Sequence, residues 1–320
     1  MKIQRSTNTH GSILPSTFGV IAALPANYLH HEAHGLRHPL SAYGTSIRLI
    51  TAQWTKTFSD LATLRARYYV NKDDDFLMDV AQSYSQLLHR LNEHQDACYS
   101  VLRSLSSVTE SKPSRLHTQY LDKNKLVGWK QFRDATRIYR ENHIGLIVNS
   151  LKHAQCELCP MYFHSATEFR AGYYLRNIQA GGVLGPDPKL HQGGNTAISF
   201  NHDMLMHFWW LYRIGDLLST AITSFVSATY GQVLVPVAYS LPEAKWDDVS
   251  KQCAALTPDF FPNEWGASYP RVIYQQIPEL LTLEFPTSVR GHKMIGEIEI
   301  RTMTTVDGEH PNERVPYFNN

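Results

Sequence analysis

Residues 47–68, IRLITAQWTKTFSDLATLRARY, carry Ile47, Ile50, Trp54, Phe58, Leu61, Leu64 and Tyr68 at intervals of three or four. At about 100° per residue this spacing draws one apolar stripe along about six helical turns. A second stripe follows in Leu77, Val80, Tyr84, Leu87, Leu88, Leu91, Cys98, Val101, Leu102 and Leu105. It stops in a polar loop around Thr109 to Ser114, with Pro113 as a breaker. Between the two runs, Asn71 and Asp73-Asp74-Asp75 read as a cap, because Asp accepts hydrogen bonds from the unpaired amides of a helix start.

Stripes this long must bury against other helices. A third helical region is expected from Gly128 to Leu158 and a fourth from Asn201 to Thr229. Beyond Gly231 the pattern changes. Val233-Leu234-Val235-Pro236-Val237 reads as a strand, as does Ile295–Thr305, where Ile298, Ile300 and Thr302 alternate with Glu297, Glu299 and Arg301. The expected fold is therefore mainly α: a helical bundle over residues 1–230, then a smaller C-terminal α+β module over residues 231–320. The glycines and prolines from Gly181 to Gly194 read as a hairpin or surface loop.

A chain of 320 residues with 43% hydrophobic and 18% charged side chains can bury a large core in water. A net charge of +1 excludes a uniformly basic nucleic-acid coat. Charge is concentrated, however: Lys112 to His153 holds nine Lys/Arg against three Asp/Glu, a balance of +6. That face can meet a polyanion or simply be solvated. Four cysteines point to free thiols in a reducing compartment. The most apolar long stretch, Phe208 to Tyr230, includes Arg213 and Asp216, so it reads as a buried helix and not a membrane span. A cytoplasmic location with no membrane contact is expected. Walker A loops, dinucleotide-binding glycine fingerprints and Gly-x-Ser-x-Gly turns do not occur, and His31-Glu32-Ala33-His34 is one residue short of a zinc-protease pair.

The densest chemistry lies between Trp129 and His164. Projected backward as one helix, the apolar face of Ile144, Ile147, Val148 and Leu151 would turn Arg133, Arg137 and Arg140 into the core. Unpaired buried charge is costly, so either the helix breaks near Glu141-Asn142 or the guanidinium groups find partners inside. One outcome is an arginine–carboxylate network with Asp134 and Glu141. Another is a cleft holding Arg137 and His143, flanked by Asn149 and His153.

The segment Arg137-Ile-Tyr-Arg-Glu-Asn-His143 resembles the HEPN superfamily of helical bundles, in which an Arg and a His so spaced form a ribonuclease site. The resemblance implies an RNA-directed protein, a metal-independent endoribonuclease of the toxin or defence kind, working as a homodimer. It implies His143 as general base on a ribose 2′-hydroxyl and Arg137 as stabiliser of the phosphorane charge. Arg133, Arg140, Asn149, Lys152 and His153 would then bind the substrate's phosphates.

Two metal readings compete. His153-x2-Cys156-x2-Cys159-x4-His164 offers four Cys2His2-type ligands for a zinc knuckle. Scattered imidazoles (His30, His31, His34 and His38, then His191, His202 and His207) offer another, with Asp203 and His207 four apart as in carboxylate–histidine bundle sites. The functional alternatives are thus a scaffold or sensor acting through protein–protein contacts, and a metal-dependent hydrolase.

Overall fold

The chain opens in strand β1 (Lys2–Ser6), passes a single turn, α1 (Thr7–His10), and enters α2 (Thr17–Ala22). Two long antiparallel helices follow, α3 (Pro39–Asn71) and α4 (Leu77–Arg103). At 1.5 Å per residue, the 33 residues of α3 span about 50 Å. Of the expected stripe on α3, all but the half-buried Phe58 are buried, and the whole stripe on α4 is buried. The computed structural model describes residues 1–71, 75–108, 114, 116–153, 156–179, 182–191, 193, 195–241, 245–302 and 313–318. Asp73, Asp74, Pro113, Gly181 and Gly194 lie outside these. The cap actually observed before α4 is Phe76, which makes no side-chain capping bond.

Next come α5 (His117–Lys123) and α6 (Trp129–Tyr139), which runs through a π-turn, Arg140–Ile144, into α7 (Gly145–Lys152). The phase conflict between the two apolar faces is settled by this turn, not by a break. Phe132, Thr136 and Tyr139 are buried at α-helical spacing, and the next buried residue is Ile144, five positions on. One extra residue in the turn rotates α7 until its own apolar face meets the core. Gly145 donates its amide to the Arg140 carbonyl, and a Cβ there would collide with that same oxygen, so the turn requires glycine.

The helix expected to reach Leu158 ends at Lys152. Cys156–His164 forms strand β2, hairpinned to β3 (Phe169–Ile178). Met161, Tyr162 and Phe163 are all buried, a strand covered on both faces, which hides the alternation that normally marks one. β4 (Leu184–Pro186) and the short β5 (Ile198–Ser199) both pair with β3, and β5 leads directly into α8 (Phe200–Tyr230). Gly172 admits this close approach; a Cβ there would strike the Ile198 carbonyl and the Phe261 ring. The remaining elements are α9 (Trp246–Ala254), β6 (Arg271–Gln275), β7 (Leu280–Glu284) and β8 (Glu299–Thr302).

Helices make up about 51% of the chain, and the strands form two antiparallel sheets, so the molecule is an α+β mix and not a pure bundle. One sheet runs β1-β7-β6; the other runs β4-β3-β2-β8, with β5 beside β3. Both sheets join strands from either side of residue 231, so hydrogen bonds cross the boundary expected there. Residues 233–237 form no strand. Pro236 lacks a donor, Val233 and Val235 are exposed, and the segment is held by single bonds from the Val237 amide to Gly19 and the Tyr239 amide to His10. Among the described residues no helix is long and apolar enough to cross a membrane.

Candidate metal centre

Ser199 caps α8 by accepting a hydrogen bond from the His202 amide, which places Asp203 in the first turn. A carboxylate there sits at the positive end of the helix dipole. Its side chain is 1% exposed, and removing such a charge from water costs several kcal/mol unless donors replace the lost hydration. Four groups converge to do so. The Tyr84 hydroxyl from α4 and the Tyr173 hydroxyl from β3 each donate to Oδ2 at 2.6 Å. His143 Nε2, carried by the π-turn, lies 2.7 Å from Oδ1. His207, one turn along α8, places Nε2 3.3 Å from Oδ2. Burial alone would raise the Asp203 carboxyl; the charges of His207 and His143 and the His143 hydrogen bond outweigh it and hold the group well below the usual carboxylate range.

His207 Nε2 is buried with only the Asp203 carboxylate beside it, at 3.3 Å and without hydrogen-bond geometry, while Nδ1 of the same ring is held by the Tyr139 hydroxyl at 2.8 Å. Burial pushes the His207 imidazole down, against the pull of Asp203, so it favours the neutral, ligand-competent form. One nitrogen from each of His143 and His207 and one oxygen of Asp203 lie within 4.8 Å of one another. Donors bound to a divalent ion at 2.0–2.2 Å stand about 3.4 Å apart on a tetrahedron, so small side-chain rotations close the set. Two imidazoles and a carboxylate suit Zn²⁺ or a first-row relative. Tyr139 would fix the ring of His207, and Tyr84 and Tyr173 would occupy Oδ2, leaving Oδ1 to the ion.

His143 and Asp203 also line a cavity of about 270 Å³, together with His202, Glu264 and residues of the 190–198 segment. Glu264 is 6% exposed and accepts hydrogen bonds from the Ser199 and Phe261 amides. Burial nevertheless pushes its carboxyl up to about 8. His202 Nδ1 is 3.5 Å from Glu264, and its Nε2 is buried without a partner.

No protein-family model, curated protein or solved structure matches this chain. The site must be read from its own chemistry.

Of the residues singled out in the sequence, His143, His202, Asp203 and His207 meet here; the others do not. Arg137 is exposed and makes no hydrogen bond or ion pair among the described residues. Arg133 pairs with Asp122 and Asp134, and Arg140 with Glu141 and the Tyr99 hydroxyl. Asn149, Lys152 and His153 are exposed along and beyond the end of α7.

The zinc knuckle does not form. Cys156 and Cys159 are an odd number of residues apart on β2, which sends their thiols to opposite faces. Cys156 bonds to Asp187 at 3.5 Å, Cys159 is buried in an apolar cluster with Tyr174 and Phe261, and His164 lies 2.9 Å from Glu299. His191 is a core histidine: its Nε2 accepts the Leu175 amide at 2.9 Å. His34 bonds to the Ser106 carbonyl and His31 packs edge-on against His38; none of these joins the group around Asp203. Tyr84, Tyr139, Tyr173 and Glu264 are the site residues that sequence reasoning missed.

Proposed function

We propose that this protein is a metal-dependent hydrolase whose divalent ion is held by His143, Asp203 and His207. The observation that carries this reading is the convergence of three donor atoms within 4.8 Å: His143 and Asp203 line an open cavity, and His207 Nε2 is buried beside Asp203 with no hydrogen-bond partner of good geometry. An ion with three protein ligands and an open position supplies a water of lowered pKa and polarises a substrate oxygen. The chain's own groups then have defined tasks. Asp203 and His143 present the open side to the cavity, while Tyr84, Tyr173 and Tyr139 hold the ligands in register. Protein stripped with EDTA and titrated with Zn²⁺ is expected to bind one equivalent, with affinity at least tenfold weaker in His143→Ala. Absence of binding, or equal binding by the variant, contradicts the proposal.

A metal-free reading rests on one observation: His143 Nε2 bonds to a buried carboxylate and its Nδ1 has no hydrogen-bond partner among the described residues. That is the geometry of an oriented general base. The HEPN resemblance implies such a base in RNA cleavage, with phosphate binding assigned to Arg137, which here is exposed and outside the Asp203 cluster. RNA cleavage persisting in EDTA and lost in Arg137→Ala would select this second reading.

A further inference from the structure

We infer that the cavity beside Asp203 takes a small, uncharged carbonyl compound, an ester or amide, and not a phosphate ester; this rests on the metal-dependent reading above. Size sets the first limit. About 270 Å³ falls below the range of roughly 300–1,000 Å³ typical of pockets for drug-sized ligands. Charge sets the second. No Lys or Arg lies among the described residues lining the cavity, whereas Asp203 and Glu264 both do. On the protein side a phosphate dianion would meet two carboxyl groups and no Lys or Arg among the described lining, leaving the ion alone to offset its desolvation.

The rest of the wall favours an uncharged guest. Leu190, Ile198 and Met206 supply apolar surface. Thr196 brings a hydroxyl, and His202 an imidazole whose Nε2 is buried and unpartnered. A turn of the ring would offer that buried nitrogen to a guest with a matching donor or acceptor. A carbonyl compound of about a dozen heavy atoms fills the space, with its apolar part on Ile198 and Met206 and a polar atom at His202. Hydrolysis adds water across the acyl C–O or C–N bond. The water oxygen joins the carbonyl carbon, that bond breaks, and the water protons end on the acid and the departing alcohol or amine.

The test uses Zn²⁺-loaded protein and two chromogenic probes of similar size, p-nitrophenyl acetate and p-nitrophenyl phosphate, with EDTA-stripped protein as blank. The expected kcat/KM for the acetate exceeds that for the phosphate by at least a hundredfold, and His202→Ala raises KM for the acetate while leaving zinc stoichiometry at one. A preference for the phosphate, or turnover of neither probe by protein that binds one zinc, overturns the substrate assignment and leaves the metal reading intact. Failure to bind zinc removes both. As a readout independent of turnover, acetamide is expected to shift the visible absorption of Co²⁺-loaded protein at concentrations where inorganic phosphate does not; the reverse order also overturns the assignment.

Discussion

Two buried histidines, 113 positions apart, show how one side chain serves opposite purposes. His94 on α4 is wholly enclosed; its Nδ1 meets the Ser46 hydroxyl at 2.7 Å and its Nε2 the Cys98 sulfur at 3.7 Å. Burial brings it down to about 3 and, with no carboxylate beside it, it stays neutral. Both nitrogens are engaged, and the ring packs against Tyr43 as a core group. His207 is equally buried, yet its Nε2 faces an ionised carboxylate at 3.3 Å without hydrogen-bond geometry, and a second imidazole, His143, has its ring centroid 5.2 Å away. Burial is common to both. What separates a structural histidine from a candidate ligand is the ionised carboxylate beside it and the nitrogen without a well-formed hydrogen bond.

Perturbing the carboxylate should widen that difference most. Asp203→Ala strands two tyrosine hydroxyls and two imidazoles. An expected loss of about 3–5 kcal/mol in urea unfolding, measured in EDTA, follows from breaking a buried charged group away from its partners. A loss below about 1 kcal/mol would mean that Asp203 is not the hub. Acid probes the other region. His94 and His191, held by burial at about 3 and about 4, lie below the ordinary value of 6.5. The unfolded chain therefore takes up protons first, so stability is full above pH 6.5 and declines as pH falls toward the folded values. Each histidine contributes about 1.4 kcal/mol of that loss by pH 5.5, or about 3 kcal/mol together. His94→Gln and His191→Gln should each remove about half of it; an unchanged slope would contradict the neutral buried assignment.

Smaller effects sharpen the comparison further. Gly145→Ala disfavours the π-turn, with an expected cost of about 1–3 kcal/mol. It also moves His143 away from Asp203, which zinc titration would read as lost affinity. Tyr139→Phe should cost only about 1 kcal/mol yet weaken zinc binding about 10–100-fold, because the ring of His207 loses its fixed orientation. Arg137→Ala should change stability by less than about 0.5 kcal/mol and leave zinc binding untouched, as for an exposed side chain outside the site.

The long helices were legible because Ile47 through Tyr68 and Leu77 through Leu102 repeat at one period and bury where that period places them. The β2 strand was not, because Cys156–His164 is apolar on both faces and a buried strand looks like a helix end. At the site, Asp203 and His207 announced themselves by i, i+4 spacing, and His143 by the chemistry around it. Their union across sixty residues left no local trace. The π-turn could be posed only as a conflict of phase between Tyr139 and Ile144. Tyr84, Tyr139 and Tyr173 were hidden for a different reason: periodicity counts a tyrosine as apolar, while here its hydroxyl is the working part. Glu264 ends a single 3-10 turn, Pro262–Glu264, too short to show a period, and only the fold brings it to the cavity.

The central claim is that His143, Asp203 and His207 share one divalent ion, and anomalous X-ray scattering from zinc-soaked crystals tests it most directly. The account predicts a single strong peak at about 2.0–2.2 Å from Nε2 of both imidazoles and from Oδ1 of Asp203. Peaks only at surface histidines, with the Asp203 cluster unchanged, would contradict it.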